Sequence, residues 1–168
     1  MSMSITLSPL HTMPDDDLRS WAGNARSRHG VPATATPAQA LPTVTDVLAA
    51  LRVAGCRGTA QFTVLGMDVS AWLPPSSAGS ADPNDVGETL LLPAIGQPAL
   101  TPDRPVALVS FSYWRSGLAV LRALCALTPT AGPLLAYDDS ARDLFVARPG
   151  ERAEELAPHW PWLNGYPD

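Results

Sequence analysis

Residues 106–147 read VALVSFSYWRSGLAVLRALCALTPTAGPLLAYDDSARDLFVA, and the rhythm of apolar residues in this stretch decides the class of fold. Ala107, Val109, Phe111 and Tyr113 fall on alternate positions, the period of a strand with one buried face. A nearly all-apolar run from Ser116 to Leu127 follows at helical length. Its one interrupted stripe is Arg115, Ala119, Arg122 and Ala126, so the helix is expected to be buried on more than one side. Leu134–Tyr137 and Leu144–Ala147 then form a hairpin whose turn is Asp138-Asp139-Ser140-Ala141-Arg142-Asp143. A strand–helix–hairpin unit of this kind cannot hide its apolar surface alone, so it belongs at the centre of an α+β core.

Upstream, Thr43 is a suitable N-cap for a helix over 44–54. Val44, Val47, Leu48 and Leu51 there share one face, and Gly55 supplies the left-handed stop. Thr59–Leu65 and Met67–Leu73 both alternate around Gly66 and predict a second hairpin. Pro74–Gly87 reads as a loop, Glu88–Leu92 as a short strand, and 94–105 as a proline-rich connection. A last short helix is expected over 151–157. The tail carries Trp160, Trp162 and Tyr166.

Residues 1–42 read differently. The first 13 carry no strong pattern. Pro14 and Asp15–Asp17 suit the start of a helix over about 14–29, and VPATATPAQALP at 31–42 is a proline–alanine linker. The expectation is therefore a flexible segment over 1–42 followed by one domain over 43–168. That domain is α+β, with an antiparallel or mixed sheet of about five or six strands and helices mainly on one face.

Composition narrows the function classes. The 168 residues carry 46% hydrophobic and only 16% charged side chains, with a net charge of −5. Every fixed positive charge is an arginine, since the sequence has no lysine. That bias, with the surplus of alanine, proline and glycine, reads as GC-rich bacterial coding. Scattered arginines on an acidic chain argue against a nucleic-acid binder and against attraction to an anionic membrane. The opening residues lack the basic region and apolar core of a secretory leader, and the apolar run 117–127 is too short to cross a bilayer. A cytoplasmic protein is the expectation.

The chemistry-bearing motifs are missing. Without lysine there is no phosphate-binding P-loop and no Schiff-base chemistry, and no glycine-rich dinucleotide turn or GxSxG elbow occurs. His11, His29 and His159 are far apart, and Cys56 and Cys125 have no metal-ligand or redox spacing, so no cofactor or metal is expected. One catalytic combination stays open, in which Cys56 is the nucleophile, His159 the base and Asp138 the orienting carboxylate.

Two patches are candidates for recognition. Asp138, Asp139 and Asp143 can place three carboxylates at a hairpin tip that a basic partner would meet, although aspartate is also a common turn former. Trp160 and Trp162 can anchor an interface or fold back as a lid. The expectation is a protein-binding module with a basic partner, the alternative a small enzyme. Small, acidic, cofactor-free α+β proteins include the immunity proteins that neutralise bacterial toxins. The likeness lies in size, charge and element order alone.

Overall fold

The computed structural model describes residues 3–77, 82–94 and 99–164. Its elements in chain order are β1 (Ser4–Pro9), α1 (Asp15–Asn24), β2 (Ser27–His29), α2 (Val44–Val53), β3 (Arg57–Ala60), β4 (Asp85–Pro93), β5 (Val106–Ser112), α3 (Gly117–Ala131), β6 (Leu134–Asp138), β7 (Asp143–Ala147) and α4 (Ala153–Leu156). One mixed sheet runs in the order β2-β7-β6-β1-β5-β4-β3. The two outermost pairs, β2 with β7 and β3 with β4, are parallel and the inner pairs antiparallel. The α+β class and the mixed sheet are as expected, with seven strands instead of five or six.

The start of the chain corrects the expected organisation. Ser4–Pro9 is the middle strand, paired on one side with β5 and on the other with β6. Ile5 and Leu7 are fully buried on the helix-covered face, each contributing about 1.5–3 kcal/mol by burial. The helix expected over 14–29 stops at Asn24 because residues 27–29 leave it to pair with β7. Residues 1–42 are thus no flexible preface: the core begins at Ser4, and only residues 31–42 keep the irregular backbone their composition suggests.

The hairpin expected over 59–73 is also corrected. Only Arg57–Ala60 is a strand, and it pairs in parallel with β4. From Gln61 the backbone turns away: the Leu65 N–H bonds the Leu100 carbonyl at 2.9 Å, and Val69–Ala71 form a 3-10 turn. The alternating apolar residues Phe62, Val64, Met67, Val69 and Leu73 pack onto the core from this irregular excursion, lining a groove of about 450 Å3 beside β3. β4, in turn, is longer than the expected 88–92 and takes over residues that read as loop.

The helices form as their ends dictate. Thr43 and Asp46 close a reciprocal capping box on α2, the Thr43 N–H meeting the Asp46 carboxylate at 2.8 Å. α3 begins at the Ser116 cap and continues through Pro129 to Ala131, four residues past the expected end. Proline brings no N–H to that turn, and the Thr128 hydroxyl donates to the orphaned Cys125 carbonyl at 2.8 Å instead. The expected helix over 151–157 is the short α4 followed by a 3-10 turn, Ala157–His159.

α2 and α3 lie together over one face of the sheet and bury Ile5, Leu7, Leu91, Val109, Phe111, Ala136 and Phe145. On the other face α1 covers only the β6–β7 half, where Leu18 and Trp21 pack with Leu135, Leu144, Val146 and Tyr137. The Trp21 and Tyr137 rings meet edge-on at 5.1 Å. Among the described residues no helix lies over the β1–β5–β4 half of that face.

Candidate functional site

The uncovered half-face leaves part of the sheet open to solvent. Because side chains alternate along a strand, the residues facing out are fixed by register. Leu92 pairs with Leu108, Leu90 with Ser110, and Glu88 with Ser112; across β1, Thr6 meets Ser110 and Ser4 meets Ser112. Three leucines therefore form one corner, hydroxyls the middle and a carboxylate the far end. Leu90 and Leu92, on the strand next to the sheet edge, are 38% and 41% exposed. The Ser4 and Ser112 hydroxyls bond each other at 2.9 Å, level with Glu88.

None of β1, β4, β5 and β6 contains an arginine, so the charges these strands carry are carboxylates. Asp85 and Asp138 are buried, leaving Glu88 and the neighbouring Asp139 as the exposed acids of this surface. Shallow hollows flank it. One of about 420 Å3 is lined by Ala94, Thr101, Asp103, Arg104 and Pro105. The other, about 270 Å3, lies at the Glu88 end against Thr59, Ser76, Tyr113 and Arg115.

The second hollow holds the most concentrated polar chemistry of the described residues. The buried Asp85 carboxylate accepts the Ser76 hydroxyl and the Gly87 N–H, and lies 3.6 Å from Arg115 Nε. Gly87 (φ +73°) and Tyr113 (φ +55°) are both left-handed at this end of β4 and β5. An added Cβ at Gly87 would lie 2.6 Å from the Tyr113 carbonyl carbon, so glycine is required. The Asp85 carboxylate ties three chain segments together. The hydroxyl beside it faces a carboxylate, and the three histidines sit elsewhere, so no nucleophile–base pair is assembled here.

The hairpin acids do not stand together at an exposed tip, as the sequence suggested. Asp138 and Asp143 are buried. Asp138 accepts the Ser140 N–H and hydroxyl and the Arg142 N–H, closing its own turn. Asp143 pairs with the Arg26 guanidinium and accepts the Ser27 hydroxyl at 2.6 Å, pinning β2 to the sheet edge. Asp139 alone is exposed, and it accepts the Ser4 N–H at 2.9 Å. A buried carboxylate needs its donors inside the fold, and that requirement takes two of the three acids away from a partner.

Trp160 and Trp162 are buried as well. The Trp160 indole N–H donates to the Gly117 carbonyl at 2.9 Å, and its ring meets Phe145 and Trp162 edge-on at 4.9 and 4.8 Å. These two tryptophans pack as a strap over the start of α3 and over β7, which removes them as exposed anchors. Tyr166 lies outside the described residues.

The Cys56–His159–Asp138 combination is not assembled. Cys56 is buried with Sγ 3.8 Å from the Ala119 carbonyl, and burial pushes its thiol up to about 12. His159 stacks on His29, and the Asp138 carboxylate is occupied by its own turn. Each group faces a different partner. Cys125 is likewise held by burial at about 11, so neither thiol is a ready nucleophile at neutral pH.

The open face escaped the sequence reading although its signal was present. Ser4, Thr6, Ser110, Ser112 and Glu88 are the polar members of three alternating strands, and Leu90, Leu92 and Leu108 break that alternation. Comparison with protein-family models, curated proteins and solved structures finds no match to this chain.

Proposed function

We propose that this chain is a non-enzymatic protein-binding module and that it binds through the open face of β1, β5 and β4. The observation that carries the reading is the exposure of Leu90 and Leu92 beside the half-buried Leu108, on a sheet half that no helix of the described residues covers. An apolar corner beside hydroxyls and acids suits a protein surface: the leucines give up water on contact, and the hydroxyls find partners. The exposed acids Glu88 and Asp139, and the lack of arginine on these strands, favour a basic partner. An inhibitor of the immunity-protein kind, which occludes a basic surface of a bacterial toxin, fits this charge and shape.

Size sets a condition on this reading. Three strands about 4.8 Å apart and five residues long offer roughly 240 Å2 of flat face, whereas a stable interface takes about 800 Å2 per partner. The partner must therefore also reach the flanking hollows at Ala94–Pro105 and at Glu88–Tyr113. The test is co-expression with the products of neighbouring genes, followed by size-exclusion chromatography of the wild-type chain and of the Leu90→Arg/Leu108→Arg variant. A one-to-one complex that the double substitution weakens at least tenfold supports the reading. Equal binding by a folded double variant contradicts it.

A further inference from the structure

At the other end of the sheet two imidazoles lie face to face. The rings of His29, on β2, and His159, in the 3-10 turn after α4, are 4.7 Å apart and 15° from parallel. The other face of His29 stacks on Phe145 at 4.8 Å, and Phe145 in turn meets Trp160. A continuous aromatic column thus runs from the exposed His159 to the buried Trp162. His29 stacks on two rings, His159 and Phe145, and it sits on a three-residue edge strand that pairs with β7.

We propose that the His29–His159 stack is a pH-operated latch, which holds the C-terminal strap of residues 157–164 on the sheet at neutral pH and loosens it on acidification. Stacking at this separation tolerates one positive charge, but a second on the facing ring meets direct repulsion. The charged groups that bear on His29 are His159, Glu151 and Arg148. Glu151 favours a proton there. Arg148, whose guanidinium donates to the Gly30 carbonyl at 2.7 Å, opposes it, and Glu151 is itself occupied by the Arg148 N–H at 2.7 Å. Burial, and after it the neighbouring His159, hold the His29 ring below the ordinary imidazole range.

The sign follows from linkage. His29 binds its proton more readily in the unfolded chain, so the stability this stack contributes is full above the ordinary imidazole value of about 6.5. It is lost as pH falls through the lower folded value. Two indole hydrogen bonds bear on the strap, Trp160 Nε1 to the Gly117 carbonyl at 2.9 Å and Trp114 Nε1 to the Asn164 carbonyl at 3.3 Å, so the loosening has an optical as well as an amide signature.

The test is amide hydrogen exchange of 157–164 in the full chain at pH 7.5 and 5.0, corrected for intrinsic exchange and paired with imidazole NMR titrations. In the wild type the opening of these amides should rise about tenfold at pH 5.0, and the His29 imidazole should titrate below the ordinary range. His159→Phe keeps a ring on His29 and removes the second charge. It should keep the protection at pH 7.5 and reduce the rise, because burial still acts on His29, whereas His29→Phe should keep the protection and abolish the rise. An ordinary His29 titration, or a rise in either phenylalanine variant equal to that of the wild type, would overturn the latch.

Discussion

Replacing Gly117 with alanine reverses a familiar expectation, and the sign of its effect tests how the C-terminal strap is held. At the start of an exposed helix, glycine to alanine stabilises by up to about 1 kcal/mol, because alanine loses less backbone freedom. Gly117, however, lies under the strap: an added Cβ would be 2.7 Å from the Leu163 carbonyl oxygen and closer still to that of Trp162. Carbon contacts are comfortable at roughly 3.5 Å, so the strap backbone must lift. Trp160 donates to the carbonyl of this same residue and would be pulled away with it. A tryptophan buries about 150–250 Å2, worth about 4–6 kcal/mol each as an upper bound at 25 cal/mol per Å2. Partial lifting of two should destabilise the protein by about 2–4 kcal/mol. The assay is urea denaturation with the emission spectrum of the folded state. We expect a lower midpoint and a red-shifted emission. A variant as stable as the wild type, with unchanged emission, would show that the strap does not rest on α3 as described.

Other outcomes follow from single side chains. The Thr89 hydroxyl is fully buried with no hydrogen-bond partner among the described residues, so Thr89→Val should stabilise by about 1 kcal/mol and raise Tm by about 2–4 °C. A loss in calorimetry would mean that the hydroxyl is satisfied. Asp138→Ala removes the acceptor of three donors and should cost about 1–3 kcal/mol, whereas Asp139→Ala should stay within about 0.5 kcal/mol; equal effects in urea denaturation would contradict this division. With its thiol at about 12, Cys56 is roughly one part in ten thousand thiolate at pH 8. A thiol reagent should modify it in the native protein far more slowly than in urea, and rapid native labelling would refute the burial.

The parts of the fold legible in sequence are those where one periodicity acts alone. β5, α3, β6 and β7 were visible because Val109, Phe111 and the apolar run 117–127 face a single core. β1 is not, because SITLSP holds only two inward aliphatic residues, Ile5 and Leu7, and its alternate positions Ser4 and Thr6 lie on the uncovered face. The same uncovered face that makes β1 look weak in sequence is the one proposed for binding. Met67–Leu73 failed in the opposite way: its alternation is real, but the residues reach the core from a 3-10 turn and not from a strand. The hairpin acids and the tail tryptophans were correctly singled out as unusual, yet short-range sequence cannot reveal that Arg26 waits for Asp143 or that Gly117 accepts from Trp160, since those pairs are set by strand order.

The account turns on which surface meets a partner, and a hydrogen-exchange footprint of the complex reads that directly. Binding should slow exchange of residues 88–92 and 108–112 and leave α2 and the β2 edge unchanged. Protection confined to the helix-covered side, with 88–92 and 108–112 exchanging as in the free protein, would contradict it.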